Sequence, residues 1–260
     1  MYKIYFLEVC RAERFPTTIT TARTISPQFI PFPLGFILLE EPSGRKILVD
    51  SGLNEEEASD NAPGAEAFGM KRFGSSSELL DRINIKPEAI TDVILTHLHA
   101  DHAGGVSQFP QATFYLQKEE LQYAVTVPEF EFLGGTDYTK RNILNIVRLA
   151  FEGKVKFLDG DQELFKGLSV YKTPGHTPGH QIVTVQTTAG IYMILGDMAY
   201  SYENFFKEIP ISSYVNLVEY LQSFRKIKKI HGYDDRKIIV VHDPETTKYP
   251  QVADHVYQIR

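Results

Sequence analysis

The sequence predicts an α/β fold, because short strand-like runs alternate with helical patterns along most of its length. The strand-like runs are rich in β-branched residues and are bounded by Gly, Pro or Asp. They cover Ile4–Val9, Gly35–Leu39, Lys46–Val49, Val93–Leu95, Thr113–Leu116, Val155–Leu158, Ser169–Lys172, Ile182–Val185, Ile191–Leu195 and Lys237–Val241. The helical patterns cover Ser76–Ile83, Lys118–Val125, Lys140–Phe151 and Ser213–Ile230.

Local signals support individual elements. Glu41-Pro42-Ser43-Gly44 is a turn sequence, so the runs on either side of it are expected to form an antiparallel hairpin. In the last helical pattern the apolar side chains recur at spacings of three and four, as on one helix face, at Tyr214, Leu217, Val218, Leu221 and Phe224. No repeat, low-complexity tract or linker is visible, so residues 1–260 are expected to form a single domain.

Composition narrows the range of functions. The chain has 260 residues, 43% of them hydrophobic, and a net charge of −6, which argues against a nucleic-acid partner. The basic run Arg225–Lys229 is expected to be the solvated face of a helix. Cys10 is the single cysteine, so no intramolecular disulfide can form. No apolar run approaches the ~20 residues of a spanning helix, and the first residues do not resemble a signal peptide. We therefore expect a cytoplasmic protein without a membrane partner.

A dense histidine cluster follows the strand-like run Val93–Leu95. His97, His99, Asp101 and His102 lie within six positions. Imidazole and carboxylate are ligands of zinc and related divalent metals. On an extended segment His97 and His99 point the same way, so both can reach one ion. A lone histidine is more often a hydrogen-bonded core residue, but a cluster this dense predicts a metal site.

Three later segments present further candidate ligands. The repeated Thr-Pro-Gly-His of residues 173–180 is a rigid loop that ends in His176 and His180. A strand ending in Gly-Asp carries Asp197, and the apolar run Lys237–Val241 delivers His242 at its tip. Taken singly, Asp197 and His242 are weak signals, because Gly-Asp is a common turn and histidines often end strands.

In order and spacing, these residues resemble the metallo-β-lactamase superfamily, whose signature HxHxDH matches residues 97–102. The resemblance implies an αββα sandwich, in which two mixed β-sheets pack together with helices on both outer sides. It also implies two divalent metals, of which zinc is the one expected, although manganese, cobalt and iron accept the same ligands. The implied ligands are His97, His99 and His176 for the first metal, Asp101, His102 and His242 for the second, and Asp197 as a bridge. Because metal ligands need supporting hydrogen bonds, His180 is expected to have a structural or supporting role beside them.

Tyr200, three residues after Asp197, narrows the resemblance to the N-acyl homoserine lactonase group, the quorum-quenching lactonases. The resemblance implies that a metal-bridging hydroxide attacks the lactone carbonyl. Tyr200 would polarise the carbonyl oxygen and bind the substrate, and Asp101 would carry the proton to the leaving alkoxide. The alternative is that Tyr200 merely packs at a strand end.

An acyl chain requires an apolar groove. Phe68, Met70 and Phe73 lie in a Gly-flanked stretch without clear periodicity, which predicts a lid that binds the chain. Because Asp50-Ser51-Gly52 before it resembles the Asp-x-Gly turn of the superfamily, the lid is expected near the metals. The alternative is that these side chains anchor a long loop to the core.

Other segments are less decisive. Phe15 and Phe29–Phe32 could also line the groove. Val127–Tyr138 could form a substrate-side wall or a homodimer contact. His231 and His255 are expected to be surface or structural residues.

Other functions of the same superfamily compete with this interpretation. A lactonase for a pyridoxine-derived lactone would carry the same residues, whereas Tyr200 argues against a thioesterase of the glyoxalase II kind. A β-lactamase of this fold often uses a cysteine ligand, and Cys10 lies far upstream. A mononuclear iron dioxygenase uses fewer ligands. A metal-stabilised binding protein would tolerate the loss of a ligand position, and none is missing.

Overall fold

Two β-sheets form the centre of the computed structural model, which describes residues 1–56, 65–126 and 137–260. The first sheet contains β1 (Lys3–Pro16), β2 (Phe29–Glu40), β3 (Lys46–Val49), β4 (Met70–Arg72), β5 (Ile90–Ile94), β6 (Thr113–Gln117), β7 (Val155–Leu158), β13 (Gln251–Ala253) and β14 (Val256–Gln258). The second sheet contains β8 (Gln162–Phe165), β9 (Leu168–Lys172), β10 (Gln181–Thr187), β11 (Gly190–Ile194) and β12 (Ile238–Ile239).

Both sheets are mixed. The first has the order β13-β14-β1-β2-β3-β5-β6-β7, with β4 paired to β1. In this sheet β1 is antiparallel to its neighbours, while β3, β5, β6 and β7 are parallel. The second has the order β12-β11-β10-β9-β8, and only β11 and β12 pair in parallel. This arrangement confirms the predicted α/β class with two mixed sheets.

The alternation of side chains along the strands explains the layers. Ile4 and Phe6 of β1 belong to one apolar cluster with Val183 of β10, so they fill the space between the sheets. Leu7 and Val9 point to the other face, where they join the cluster that contains helical side chains. Burial of both strand faces is what a layered α/β protein requires.

Helices cover the outer faces. Their bounds are α1 (Thr17–Thr20), α2 (Ala65–Phe68), α3 (Ser76–Asp81), α4 (Ala100–Ala103), α5 (Lys118–Ala124), α6 (Lys140–Phe151), α7 (Tyr202–Lys207) and α8 (Leu217–Ile227). Leu79 and Leu80 of α3 pack in the same cluster as β1, and Tyr220 and Phe224 of α8 pack there with Met193 of β11. Among the described helices, none is both long and apolar enough to cross a membrane.

Several elements differ in length from the sequence prediction, and β2, predicted as Gly35–Leu39, extends from Phe29 to Glu40. Strand β1 continues well beyond Val9, to Pro16. The prediction ended too early because register shifts after Glu8 and Ala12 interrupt the regular alternation of side chains that marks a strand. Helix α8 begins only at Leu217, since the Asn216 side chain caps it by accepting the N–H groups of residues 218 and 219. The predicted strand over 237–241 is reduced to Ile238–Ile239 because a 3₁₀ turn occupies Asp235–Lys237.

Candidate metal centre

The candidate ligands lie where strands of both sheets end. His97 and His99 follow β5 of the first sheet, and α4 begins directly after them. His176 lies between β9 and β10 of the second sheet, Asp197 follows β11, and His242 follows β12. The sandwich therefore brings together segments that are far apart in the sequence.

Four side chains form the first group. The Nε2 atom of His176 lies 3.2 Å from Nε2 of His97 and 3.1 Å from Nδ1 of His99. Asp197 Oδ2 lies 3.2 Å from His176 Nε2 and 3.6 Å from His97 Nε2. Two donors of one tetrahedral zinc are separated by about 3.3 Å when each bond is about 2.0–2.1 Å, so these separations fit a single ion.

Three side chains form the second group, namely Asp101, His102 and His242. Asp101 Oδ2 lies 3.4 Å from His102 Nε2 and 3.6 Å from His242 Nε2. The second oxygen of Asp197, Oδ1, lies 3.0 Å from His102 Nε2 and 3.1 Å from His242 Nε2. Asp197 therefore faces both groups with different oxygens, which is the arrangement of a bridging carboxylate.

The outer nitrogens of three imidazoles are held by oxygen acceptors. Nδ1 of His102 is 2.8 Å from Asp50 Oδ2, Nδ1 of His176 is 2.7 Å from the Ser213 carbonyl, and Nδ1 of His242 is 2.9 Å from the Pro33 carbonyl. Each acceptor therefore fixes a proton on Nδ1, so Nε2 is the atom that each ring turns toward the other ligands.

A buried polar atom without a hydrogen bond supports metal binding. His102 Nε2 is fully buried and has no hydrogen-bond partner among the residues that the structure describes, although a carboxylate oxygen of Asp197 lies 3.0 Å away. Such an atom is costly unless a ligand satisfies it. A set of imidazole and carboxylate donors that converge around it suits divalent metals, and the residues present fit two ions.

Without a metal the ligand rings differ in charge state. Against the effect of burial, the Asp101 and Asp197 carboxylates raise the pKa of His102 well above its usual value, and Asp197 raises the pKa of His176. Burial lowers the pKa of His97 and His99 well below the usual value, so both rings are neutral donors. Burial raises the pKa of Asp101, but the His102 and His242 rings outweigh this effect and lower it to about 2. Asp101 is therefore a carboxylate near neutral pH.

His180 supports the site from behind. Its Nδ1 lies 3.0 Å from the Thr173 hydroxyl, and its Nε2 accepts the backbone N–H of Asp197 at 3.1 Å. Burial lowers the pKa of His180 to about 3, so Nε2 is free of a proton and can accept. The ring thus fixes the backbone that carries the bridging carboxylate.

Two supporting residues were not identified from the sequence. Asp50 accepts the Thr96 N–H at 2.7 Å in addition to the His102 bond. The Asp-x-Gly turn predicted its place near the metals but not its contact with a ligand. Glu120 is fully buried under the ligand loops, whereas its sequence context, Lys118-Glu119-Glu120, is typical of an exposed helix start.

A cavity of about 360 Å³ opens onto both ligand groups. Its polar end is lined by His99, Asp101, Asp197 and Tyr200. The Tyr200 ring centre lies 5.2 Å from that of His242. Burial, followed by the Asp197 and Asp101 carboxylates, raises the pKa of the Tyr200 hydroxyl well above its usual range. Tyr200 therefore keeps its proton and can donate it in a hydrogen bond.

The other walls of the cavity are apolar. Phe68, Met70, Phe15 and Phe32 all line it, as do Ile19 and Leu34. Phe15 stacks on Phe32 at 4.1 Å and contacts Phe68 at 5.3 Å between ring centres, so the three rings form a continuous aromatic row. Phe29, by contrast, is 62% exposed.

The structure corrects the expectation for Phe73 and for its segment. Residues 70–72 form the paired strand β4, so the predicted lid is not an irregular loop. Alternation along this strand puts Phe73 on the opposite side from Met70. The Phe73 ring stacks on His255 at 3.5 Å between centres, outside the cavity.

Most of the stretch Val127–Tyr138 lies outside the described residues, which resume at Asp137. The Asp137 carbonyl accepts the Ala100 N–H at 2.8 Å, and Asp137 lines the cavity. The Tyr138 ring lies 4.6 Å from the His99 ring. The described end of this stretch therefore contributes to the wall beside the first ligand group.

Comparison with known proteins identifies the family. Residues 36–238, more than half of the chain, match the model of the metallo-beta-lactamase superfamily. The chain belongs to the metallo-β-lactamase superfamily. Six of the seven candidate ligands lie inside the matched range, and His242 lies just beyond it.

Similar proteins of this superfamily include characterised lactonases. The chain is 28% identical over 255 residues to an N-acyl homoserine lactonase of Bacillus cereus, and the match covers 95% of each chain. It is 26% identical over 232 residues to an N-acyl homoserine lactonase of Rhizobium radiobacter, with 82% of each chain covered. A solved N-acyl homoserine lactone hydrolase with N-hexanoyl-L-homoserine at its catalytic metal centre superposes with a TM-score of 0.76 at 26% identity, covering 96% of each chain.

Replacing Asp50 with Asn is expected to weaken metal binding at the second group. The amide would present N–H atoms to groups that already donate, and His102 would lose the acceptor that orients it. We expect the affinity for the second metal to fall about 10-fold to 100-fold, as measured by chelator competition. Asp81→Asn is the matched control, because Asp81 forms only an exposed ion pair with Lys86. Equal affinities in the two variants would contradict the role of Asp50.

Proposed function

We propose that this protein is a metal-dependent hydrolase that opens the lactone ring of N-acyl homoserine lactones. The observation that carries the proposal is the cavity itself, which joins two ligand groups and a tyrosine hydroxyl to an aromatic row. A molecule with a reactive ester at one end and an alkyl chain at the other would place its ester at the polar end of the cavity and its chain against the apolar walls. The names of similar proteins point to the same substrate class.

Each of the two groups of candidate ligands would hold one metal ion. His97, His99 and His176 would hold the first, Asp101, His102 and His242 the second, and Asp197 would bridge them. Bound there, two divalent ions would supply Lewis acidity and an acidified water for attack on a carbonyl carbon. Zinc is the metal we propose, and manganese, cobalt and iron suit the same donors.

Tyr200 is proposed as the donor to the lactone carbonyl oxygen. Its hydroxyl is protonated, its ring is packed edge-on against Phe32 and His242, and it lies at the boundary of the polar and apolar walls. A donor fixed at that point stabilises the oxyanion that develops in the transition state more than it stabilises the substrate carbonyl.

Asp101 is proposed as the group that moves the proton. Its carboxylate lines the cavity and is partly accessible, unlike the buried Asp197. As a carboxylate near neutral pH it can accept the proton of the attacking water. It can then deliver that proton to the ring oxygen as the carbonyl–oxygen bond breaks.

Hydrolysis of a substrate panel tests the proposed function. The metal-loaded protein is assayed, by the acid released, against homoserine lactones, aliphatic lactones, a pyridoxine-derived lactone, thioesters and phosphotriesters. We expect N-acyl homoserine lactones to give the highest kcat/KM. Faster turnover of a thioester would favour the glyoxalase II-like alternative, and faster turnover of the pyridoxine-derived lactone would favour the other lactonase.

Tyr200→Phe is expected to lower kcat while both metals stay bound. Loss of one oxyanion donor should reduce kcat roughly 100-fold to 1000-fold, with little change in KM. Steady-state kinetics and metal content are measured on the same preparation. Tyr192→Phe is the control, because Tyr192 packs at the core between the sheets. An unchanged kcat in Tyr200→Phe would remove this hydroxyl from the mechanism.

Phe68→Ala is expected to reduce the preference for long acyl chains. The ring forms part of the apolar wall, so its loss should lower kcat/KM for N-decanoyl homoserine lactone about 10-fold, with a smaller effect on the N-butanoyl compound. Phe73→Ala is the matched control, since that ring stacks on His255 outside the cavity. Equal effects of the two variants on both substrates would contradict the assignment of the acyl site.

A further inference from the structure

Glu120 is a fully buried carboxylate beneath the first ligand group. It lies on α5 and receives four hydrogen bonds, two on each oxygen. Oε1 accepts the Leu98 N–H at 3.0 Å and the Tyr138 hydroxyl at 2.8 Å. Oε2 accepts the Thr177 hydroxyl at 2.7 Å and the Gly179 N–H at 3.1 Å. Four donors from three separate segments therefore converge on one side chain.

Three of the four donors are adjacent to a ligand of the first group, and the fourth, Gly179, lies in the same loop as His176. Leu98 is the residue between His97 and His99, and Thr177 directly follows His176. The ring of Tyr138 packs edge-on against His99 at 4.6 Å between centres. None of the four donors neighbours His102 or His242, whose outer nitrogens are held by Asp50 and by the Pro33 carbonyl.

The close packing of the loop on α5 supports a specific fit. A Cβ atom at Gly179 would lie 2.3 Å from the Glu120 backbone nitrogen, so only glycine allows the 173–180 loop to approach this closely. Burial raises the pKa of Glu120, and the bonds from Thr177, Tyr138 and Leu98 lower it in part. A buried carboxylate is costly unless such donors compensate it.

We propose that Glu120 is a positioning residue for the first metal, because it locks the backbone between His97 and His99 to the loop that carries His176. The inference rests on the two-metal site of the proposed function. It adds a distinction between the two supporting carboxylates: Glu120 contacts only segments of the first group, whereas Asp50 holds His102 directly and reaches His97 through the Thr96 hydroxyl. Supporting partners of this kind change metal affinity and ligand orientation without touching the substrate.

Glu120→Gln is the variant that tests this proposal. The amide keeps the shape of the side chain but turns an N–H group toward donors. We expect the affinity for one of the two metals to fall about 10-fold to 100-fold while the other is retained. Zinc content is measured by chelator competition, and the visible absorption spectrum of the cobalt-loaded protein reports the ligand geometry. Glu119→Gln is the control, because Glu119 is the preceding residue and forms an exposed ion pair with Lys172.

The outcomes are separable from those of the lactonase proposal, since neither readout uses a lactone. Retention of both metals and of the cobalt spectrum in Glu120→Gln would overturn the inference, and so would equal weakening of both sites. If this variant fails to fold, Thr177→Val replaces it, because it removes a single donor. That variant should show a smaller loss at the same site, and wild-type affinity at both sites would overturn the proposal.

Discussion

The rest of the site depends on the contacts that the Asp197 carboxylate makes with both groups of ligands. Oδ1 faces His102 and His242 at 3.0 and 3.1 Å, and Oδ2 faces His176 at 3.2 Å. One side chain therefore joins ligands from the first sheet to ligands from the second. The sandwich architecture matters for function because it brings β5, β11 and β12 together, so that this carboxylate can serve both groups.

Burying these charged and polar groups is unfavourable in free energy unless cations neutralise the carboxylates. Five histidine rings and the Asp197 carboxylate are buried around the site, together with the supporting carboxylates of Asp50 and Glu120. Buried charges require partners, and without a metal the carboxylates obtain positive charge by protonation of His102 and His176, whose pKa values they raise. Divalent ions would supply it, and their binding would therefore be coupled to the stability of the fold. The supporting hydrogen bonds from Asp50 and Glu120 hold the ligands in place for that binding.

Much of the fold could be predicted from the sequence, because strand periodicity and turn residues are local signals. His97, His99, Asp101 and His102 were found for the same reason, since they form a compact motif, whereas Asp197 and His242 were assigned only through the resemblance to the superfamily. The side on which Phe73 packs could not be predicted, because its partner, His255, comes from the far end of the chain. Glu120 was missed because nothing in its own helix reveals that two distant loops cover it.

The metal content of the purified protein tests the central claim most directly. The claim is that Asp197 bridges two ions, so the protein equilibrated with zinc and then freed of excess metal should contain two ions per chain. Replacing Asp197 with Asn should reduce that content, because both groups lose a shared donor. A single ion per chain in the unaltered protein, and above all a single iron, would contradict the two-metal site and favour an oxidoreductase.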